Sequence, residues 1–478
     1  MKALWVGCLA SGFISISMAQ TRFEPGGGRP PGGGPPPEAF QVCEQKQQGA
    51  DCSFQAPHGA VEGSCKNMPE GLVCVPSGHR MGPPPGERPD QDRFEPQPGE
   101  LRQPAGPAVI RVEPSVSAVV SSKGVTALRN RVPDTGQIDC FSNRRQVVCA
   151  DVQPRFKGQD GHYSSKQAYW DNGDGTVTDL VTGLRWQQAH NSQRLSYRDA
   201  VEACSRLELA GSRAWRLPSI TELFSISHWR NQGSQQFYID RRYFDLKVPG
   251  PEILVGDPYA STHDTSMMGQ TWSSTHYVGE IALGSSTPHV FFFNFLDGRI
   301  KAAPKQGRSR LFHRCVSGEP WGDNLFQDNR NGTVSDAAVN LMWQQADDGQ
   351  PRDWYQALAY CEGLNLAGHS DWRLPNIKEL QTLVDYRYNT PAIDANLFKQ
   401  QDKAGWFWSS TTHGENPAMA NYICFGPCTS VDGEDVHGAG AQRSDPKTGN
   451  PSRWQARGGQ RDETRIFNYA RCVRDAKD

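Results

Sequence analysis

The chain has 478 residues, and 50 Lys and Arg stand against 52 Asp and Glu, for a formal net charge of −2. That balance excludes the strong field expected of a protein for nucleic acid or an anionic membrane surface. At roughly 150 residues per domain the length allows two to four domains, and an apolar fraction of only 36% points to Pro/Gly-rich stretches between them.

Residues 1–19, "MKALWVGCLASGFISISMA", read as a secretory signal. Lys2 is the charged start, Ala3 to Ile16 is apolar or small, and Ser17-Met18-Ala19 is a small-x-small cleavage site. Cys8 falls too early for a lipoprotein anchor. No other run approaches the ~20 apolar residues of a membrane span. The expectation is an exported protein that is secreted, on the cell surface or in the periplasm. Of 13 cysteines, losing Cys8 with the signal leaves an even number. In an oxidising compartment that implies disulfides, and no Cys-x-x-Cys or Cys/His zinc spacing competes with that reading.

Residues 20–40 form a Gly/Pro linker without a strict Gly-X-Y period. A Cys-rich module follows at 41–76, with Cys43, Cys52, Cys65 and Cys74 symmetrically spaced. So short a module buries little apolar area and needs disulfides, whose connectivity the spacing leaves open. Residues 77–108 are a Pro-rich, charged linker. Residues 109–162 are a short β segment, from "VIRVEPSVSAVV" to "CFSNRRQVVC". There Cys140 and Cys149 flank a turn at Ser142-Asn143 and are expected to pair locally, the spacing being long for a redox pair.

The remainder is a duplication, 163–318 and 319–478. Cys204 and Cys361, Trp215 and Trp372, and Cys315 and Cys472 each lie 157 positions apart. A unit this long suits tandem globular domains and not a solenoid. "WSST" recurs after only 136 positions, so the first copy has extra residues at about 245–268 and the second at about 430–460. Each copy opens with a hairpin, "DNGDGTVTD" or "DNRNGTVSD". A helix follows, capped by Ser196 or Asp353, with Ala200, Cys204 and Leu207 or Ala357, Cys361 and Leu364 on one face. The equal Cys204-to-Cys315 and Cys361-to-Cys472 separations suggest a bridge from this helix to the last strand.

"LAGSRAWRLPSITEL" (209–223) returns as "LAGHSDWRLPNIKEL" (366–380). The block reads as a structural joint. Trp215 and Trp372 enter the core, and Pro218 and Pro375 precede a helix start. Ser219-x-x-Glu222 and Asn376-x-x-Glu379 are capping boxes. Arg216 and Arg373 are expected to be partly buried and paired with an acid or with backbone carbonyls.

These blocks, with "WSST", "FLDGRI" and "ARCVR", resemble the Lcl C-terminal domain family, named after a bacterial collagen-like adhesin. The resemblance covers about 165–318 and 322–474. It implies an α+β architecture of two tandem C-type-lectin-like domains, each with two helices on antiparallel strands and long loops. That fold is shared with formylglycine-generating enzymes. Adhesin members bind glycosaminoglycan-like polymers, although this chain lacks their collagen-like region.

No Gly-x-Ser-x-Gly, His-Glu-x-x-His or P-loop supports catalysis. Cys424 and Cys428 lie near the reactive Cys pair of formylglycine-generating enzymes. Their spacing differs, and a small structural disulfide is the preferred reading over an oxidase site. Asp171, Asp174 and Asp179, with Asp328, Asn331 and Asp336, could offer oxygens to calcium. The EF-hand pattern fails, and Asx-Gly pairs are ordinary turn chemistry. Trp186, Trp215, Trp272, Trp343, Trp372 and Trp408 recur in both copies and are assigned to the core. The unshared Trp229, Tyr259, Tyr277, Trp406, Tyr422 and Trp454 are the candidates for exposed ring contacts. Arg443, Lys447, Arg453, Arg457 and Arg461 form a basic loop suited to a polyanion. The sequence thus points to a non-enzymatic, adhesin-like binder of a glycan or extracellular protein ligand. A scaffold subunit of an envelope complex is the alternative. No cofactor is called, calcium is left open, and so is an oligomer.

Overall fold

The structure is a computed structural model that describes residues 39–76, 120–125 and 131–476, with internal breaks of which the longest are 231–236, 247–268 and 451–460. Residues 1–19, expected to be a signal, the 77–108 linker and nearly all of the 20–40 linker lie outside the described residues. The chain divides into two compact units, Met1–Ile110 and Arg111–Asp478.

The first unit holds an antiparallel meander of β1 (Asp51–Ala56), β2 (Gly59–Met68) and β3 (Gly71–Pro76). Its core is Ala39 and the four cysteines, with Val42 and Leu72 against them. Cys43 bonds Cys65 and Cys52 bonds Cys74, so the first pairs with the third and the second with the fourth. With so few apolar side chains, the crossed staples limit the unfolded chain's freedom where burial cannot.

The second unit begins with the ribbon β4 (Val120–Ser121) and β5 (Gly124–Val125), then the hairpin β6 (Cys140–Phe141) and β7 (Gln146–Val147), closed by Cys140–Cys149. In repeat 1, β8 (Tyr169–Asp171), β9 (Thr176–Asp179) and β10 (Arg185–Gln187) lead into α1 (Tyr197–Ser205) and α2 (Ile220–Ser225). Strands β11 (Gln270–His276), β12 (His289–Asn294), β13 (Arg299–Pro304) and β14 (Val316–Ser317) complete it. Repeat 2 has the same order: β15 (Phe326–Asp328), β16 (Thr333–Asp336), β17 (Leu341–Gln344), α3 (Trp354–Glu362), α4 (Ile377–Thr382), β18 (Trp406–Thr412), β19 (Met419–Cys424), β20 (Gln442–Pro446) and β21 (Val473–Asp475). Each repeat contains a four-stranded sheet closed by its last strand (β14-β10-β9-β8, β15-β16-β17-β21) and a three-stranded meander (β11-β12-β13, β18-β19-β20), all antiparallel.

Local chemistry accounts for these elements. Gly175 and Gly332 sit at φ 82° and 85° in the opening hairpins, a conformation that glycine adopts without a Cβ penalty. Ser196 caps α1 by accepting from Asp199 N, and Asp353 and Gln356 form a full capping box on α3. The buried Ala200 and Cys204, or Ala357 and Cys361, then face inward. Cys204–Cys315 and Cys361–Cys472 tie each first helix to the end of its repeat.

The sequence reading treats the copies as tandem domains. In the structure one apolar cluster runs through both. It holds Ile220, Leu223, Phe224, Phe291 and Phe293 from repeat 1 with Ile377, Leu380, Leu383, Phe407 and Ile423 from repeat 2. Helices α2 and α4 touch, as do β13 and β20. Each short sheet leaves an apolar face that burial against the other copy removes from water.

Candidate functional site

The repeated Trp-Arg-Leu-Pro block is the frame of the site. Arg216 donates from Nη1 to Glu222 Oε2 at 2.6 Å and from Nη2 to Oε1 at 2.5 Å. Glu222 Oε2 also accepts Ser219 N–H at 2.8 Å, completing the capping box on α2. Arg373 and Glu379 repeat the arrangement on α4. One carboxylate therefore starts a helix and neutralises an arginine. The pairs differ in exposure: the Arg216 side chain is 34% exposed and that of Arg373 is 11%.

That difference marks a larger one. On repeat 1 a cleft of about 430 Å³ opens beside Arg216, lined also by Tyr197, Val201, Leu217, Ser274 and Trp321. Lys305 Nζ lies 5.4 Å from the Tyr197 ring centroid, and the His276 ring 5.6 Å from it. Strand β11 is buried over its first four residues, but Ser274 and His276 are exposed and Thr275 half-buried. Desolvation, with Lys305 nearby, holds His276 below the usual imidazole range, so the positive groups of the face at neutral pH are Arg216 and Lys305.

On repeat 2 the matching residues are Trp354, Leu358, Arg373, Ser410, Thr411, Thr412 and Lys447, and the chain covers them itself. Residues 134–151 and 154–163 lie across the face. Gln137 Oε1 accepts Thr412 N–H and Gln137 Nε2 donates to Thr412 O, both at 2.9 Å. Asp160 Oδ2 accepts the Thr411 hydroxyl at 2.6 Å and that of Thr135 at 2.7 Å. The Tyr163 ring lies 5.4 Å from the Arg373 guanidinium, and its hydroxyl donates to Glu362. Phe156 meets Tyr355 edge-on at 5.0 Å. Leu358 is consequently fully buried where Val201 is 39% exposed, and every residue of β18 is buried.

The cover changes the electrostatics. Lys447 Nζ sits 4.1 Å over the Trp354 ring and donates to Thr412 Oγ1 at 2.7 Å, and desolvation pushes its ammonium well below the usual lysine range. Lys378 Nζ is sealed between Asp134 O and Ser225 O, both at 2.7 Å, and burial lowers it to about 7. Burial, with the Asp134 charge adding to it, raises Asp160 to about 8. An opening of about 680 Å³ remains between the covering segment and α3, lined by Asn143, Phe156, Tyr355 and Gln356 among others.

Several site residues named from the sequence are placed elsewhere. Trp229, Tyr277, Trp406 and Tyr422 are buried and not exposed. Trp229 packs edge-on against Phe224 and Tyr238. Tyr277 donates to Asp435 Oδ2 at 2.6 Å. Trp406 stacks on Tyr422 beneath the Arg465 guanidinium. These unshared rings fill gaps inside and between the copies. Arg443 and Lys447 are also buried, Arg443 on Asp462. Of the basic loop, Arg461 is exposed and pairs with Asp432 at 2.7 Å. Tyr259, Arg453, Trp454 and Arg457 lie outside the described residues.

The six candidate calcium ligands are turn acceptors. Asp171 Oδ1 takes Gly173 N–H, Asp174 takes Thr176 N–H and Arg185, and buried Asp179 takes Val181 N–H and the Thr182 hydroxyl. Asp328, Asn331 and Asp336 accept from Arg330, Thr333 and Leu325 N–H. Among the described residues the close groups of metal-ligating types are Cys43, Cys52 and Cys74, and Cys140, Cys149 and His162, whose cysteines are all in disulfides. Cys424 and Cys428 are bonded to each other.

Lys305 was missed by the sequence reading, and Lys447 was named only as part of the basic loop and not as its counterpart, although a signal exists: Pro304-Lys305-x-Gly307 returns as Pro446-Lys447-x-Gly449. The gap between the copies hides it there, because these positions lie 142 apart.

The model of the Lcl C-terminal domain family matches residues 175–317 and 332–443, more than half of the chain. No curated protein and no solved structure matches it.

Proposed function

The chain belongs to the Lcl C-terminal domain family, and from that premise we propose that it is an exported, non-enzymatic, adhesin-like protein binding glycans or extracellular matrix through repeat 1. The observation that carries the reading is the open face of Tyr197, Arg216, Ser274 and Lys305, whose twin on repeat 2 is closed. A concave surface with the half-buried Trp321 ring, two cations and hydroxyls offers apolar contact and charge-assisted hydrogen bonds to an anionic ligand, while Tyr197 is largely buried at its base. Six disulfides suit an oxidising compartment outside the cytosol. Among the described residues no helix is long and apolar enough to cross a membrane. The two helices and antiparallel strands of each repeat are compatible with the C-type-lectin-like fold that the family resemblance implies.

The test is retention of the oxidised chain on heparin and on glycan and matrix arrays, with and without calcium. Lys305→Glu combined with Val201→Glu should reduce binding by roughly tenfold or more, about 1.4 kcal/mol. Binding that is unchanged in the double variant would remove repeat 1 as the site. A role as an assembly subunit of an envelope complex is the second reading, favoured by the polypeptide that closes the face of repeat 2.

A further inference from the structure

We propose that the occupant of the open face of repeat 1 is a loop of a partner protein carrying a carboxylate and, three residues on, an aromatic side chain. This rests on repeat 1 being the binding face and narrows the ligand to a polypeptide. The same chain supplies the template, because repeat 2 receives a segment with this chemistry, Asp160 followed by Tyr163.

The receiving groups correspond one by one. Thr411 Oγ1 accepts Ile377 N–H at 3.0 Å and donates to Asp160, and Thr275 Oγ1 accepts Ile220 N–H at 2.9 Å, leaving its own hydroxyl hydrogen for a carboxylate. Arg216 holds Glu222 as Arg373 holds Glu379 beneath Tyr163, with three times the exposure. Lys305 stands beside Tyr197 as Lys447 stands over Trp354. His276 faces Val290 in the register position where Thr412 faces Ala420. At Thr412 the incoming group is the Gln137 amide, which offers one donor and one acceptor as a peptide bond does. Arg216 is already held by Glu222, and Glu222 and Asp323 line the same cleft, so the donors left for an incoming carboxylate are the Thr275 hydroxyl and the Lys305 ammonium at the edge of the face.

The faces differ enough to need different occupants. Tyr197 replaces Trp354, Val201 replaces Leu358, and Arg198 and Ser205 replace Tyr355 and Glu362. The Tyr163 hydroxyl would lose its Glu362 acceptor on repeat 1, and Phe156 its Tyr355 edge. The covering segment is thereby matched to repeat 2, and exposed Arg198 adds a second reason for an acidic loop on repeat 1.

The experiment pans displayed random loops, each closed by a disulfide, on the full oxidised chain, and counter-screens them on the Val201→Glu, Lys305→Glu double variant. The expected result is recovery of loops in which Asp or Glu precedes Tyr, Phe or Trp, with a synthetic copy binding the variant roughly tenfold or more weakly. Lys305→Gln serves as a milder second variant, and an unchanged melting curve shows that either one folds. Recovered loops that bind both variants as tightly as the parent would overturn the inference. So would a failure to recover loops while heparin still discriminates parent from variant, an outcome that keeps repeat 1 as a face for glycan. If neither loops nor glycans discriminate, the binding reading falls with it.

Discussion

Arg373 grips Glu379 through both terminal guanidinium nitrogens, at 2.6 and 2.8 Å, while Glu379 also accepts Asn376 N–H at 2.9 Å. Removing the carboxylate leaves the buried cation only its longer 3.3 Å contact with the exposed Asp475, and uncaps α4 at once. Glu379→Ala should therefore cost about 3 kcal/mol, the scale of a broken buried pair. Glu222→Ala should cost less, about 1–2 kcal/mol, because water reaches the more exposed Arg216. Urea denaturation of the two variants checks the order, and equal costs would count against it.

The second prediction concerns pH. Burial raises Asp160 to about 8 in the folded chain, against an ordinary carboxylate near 3.8. A raised carboxyl contributes stability that is fully present below its unfolded value and is lost as pH rises through its folded value. Between pH 4 and 7 the folded chain then holds a proton that the unfolded chain has released, a slope of about −1.4 kcal/mol per pH unit from this group. Asp160→Asn deletes that contribution, so its stability should rise more steeply with pH than the parent's over this window. Near pH 8 Asp160 ionises in the folded chain too and the two slopes converge, while the lowered Lys378 adds an opposite slope above pH 7 to both proteins alike. Denaturation midpoints from pH 4 to 8 give the measurement, and parallel curves would contradict the buried-acid account.

A third expectation follows from loop lengths. Cys361–Cys472 spans 111 residues of sequence and Cys424–Cys428 spans 4. Chain-entropy reasoning assigns about 5 kcal/mol to the long closure and about 2 to the short one. Replacing each pair with alanine should lower the denaturation midpoint in that order, with mass spectrometry confirming the remaining bridges.

Much of the scaffold is legible in the sequence because it is set locally or by the duplication. Ser219, Glu222, Asn376 and Glu379 announce capping boxes within four residues, and the 157-residue offset pairs the joints of the two copies. The equal cysteine separations point to the bridges that the structure contains. The candidate site is far less legible. Lys447 sits in a polar stretch that reads as solvated, yet Phe141, some 300 positions earlier, lies 5.7 Å from its ammonium. Tyr277 finds its partner Asp435 in the other copy. Nothing within a window of neighbours tells a buried cation from a solvated one, since the burying surface comes from distant sequence. Comparing the copies residue by residue shows where they should be alike, but not that one of them is covered.

Duplication ordinarily doubles valency. Here the segment that carries Gln137, Asp160 and Tyr163 covers one of the two corresponding faces, so under the proposed function the chain would be monovalent at that surface. Avidity would then have to come from several chains held together, since a single chain cannot grip twice with this face. How densely the protein is displayed would matter more to its hold on a surface than how many copies of the repeat each chain carries.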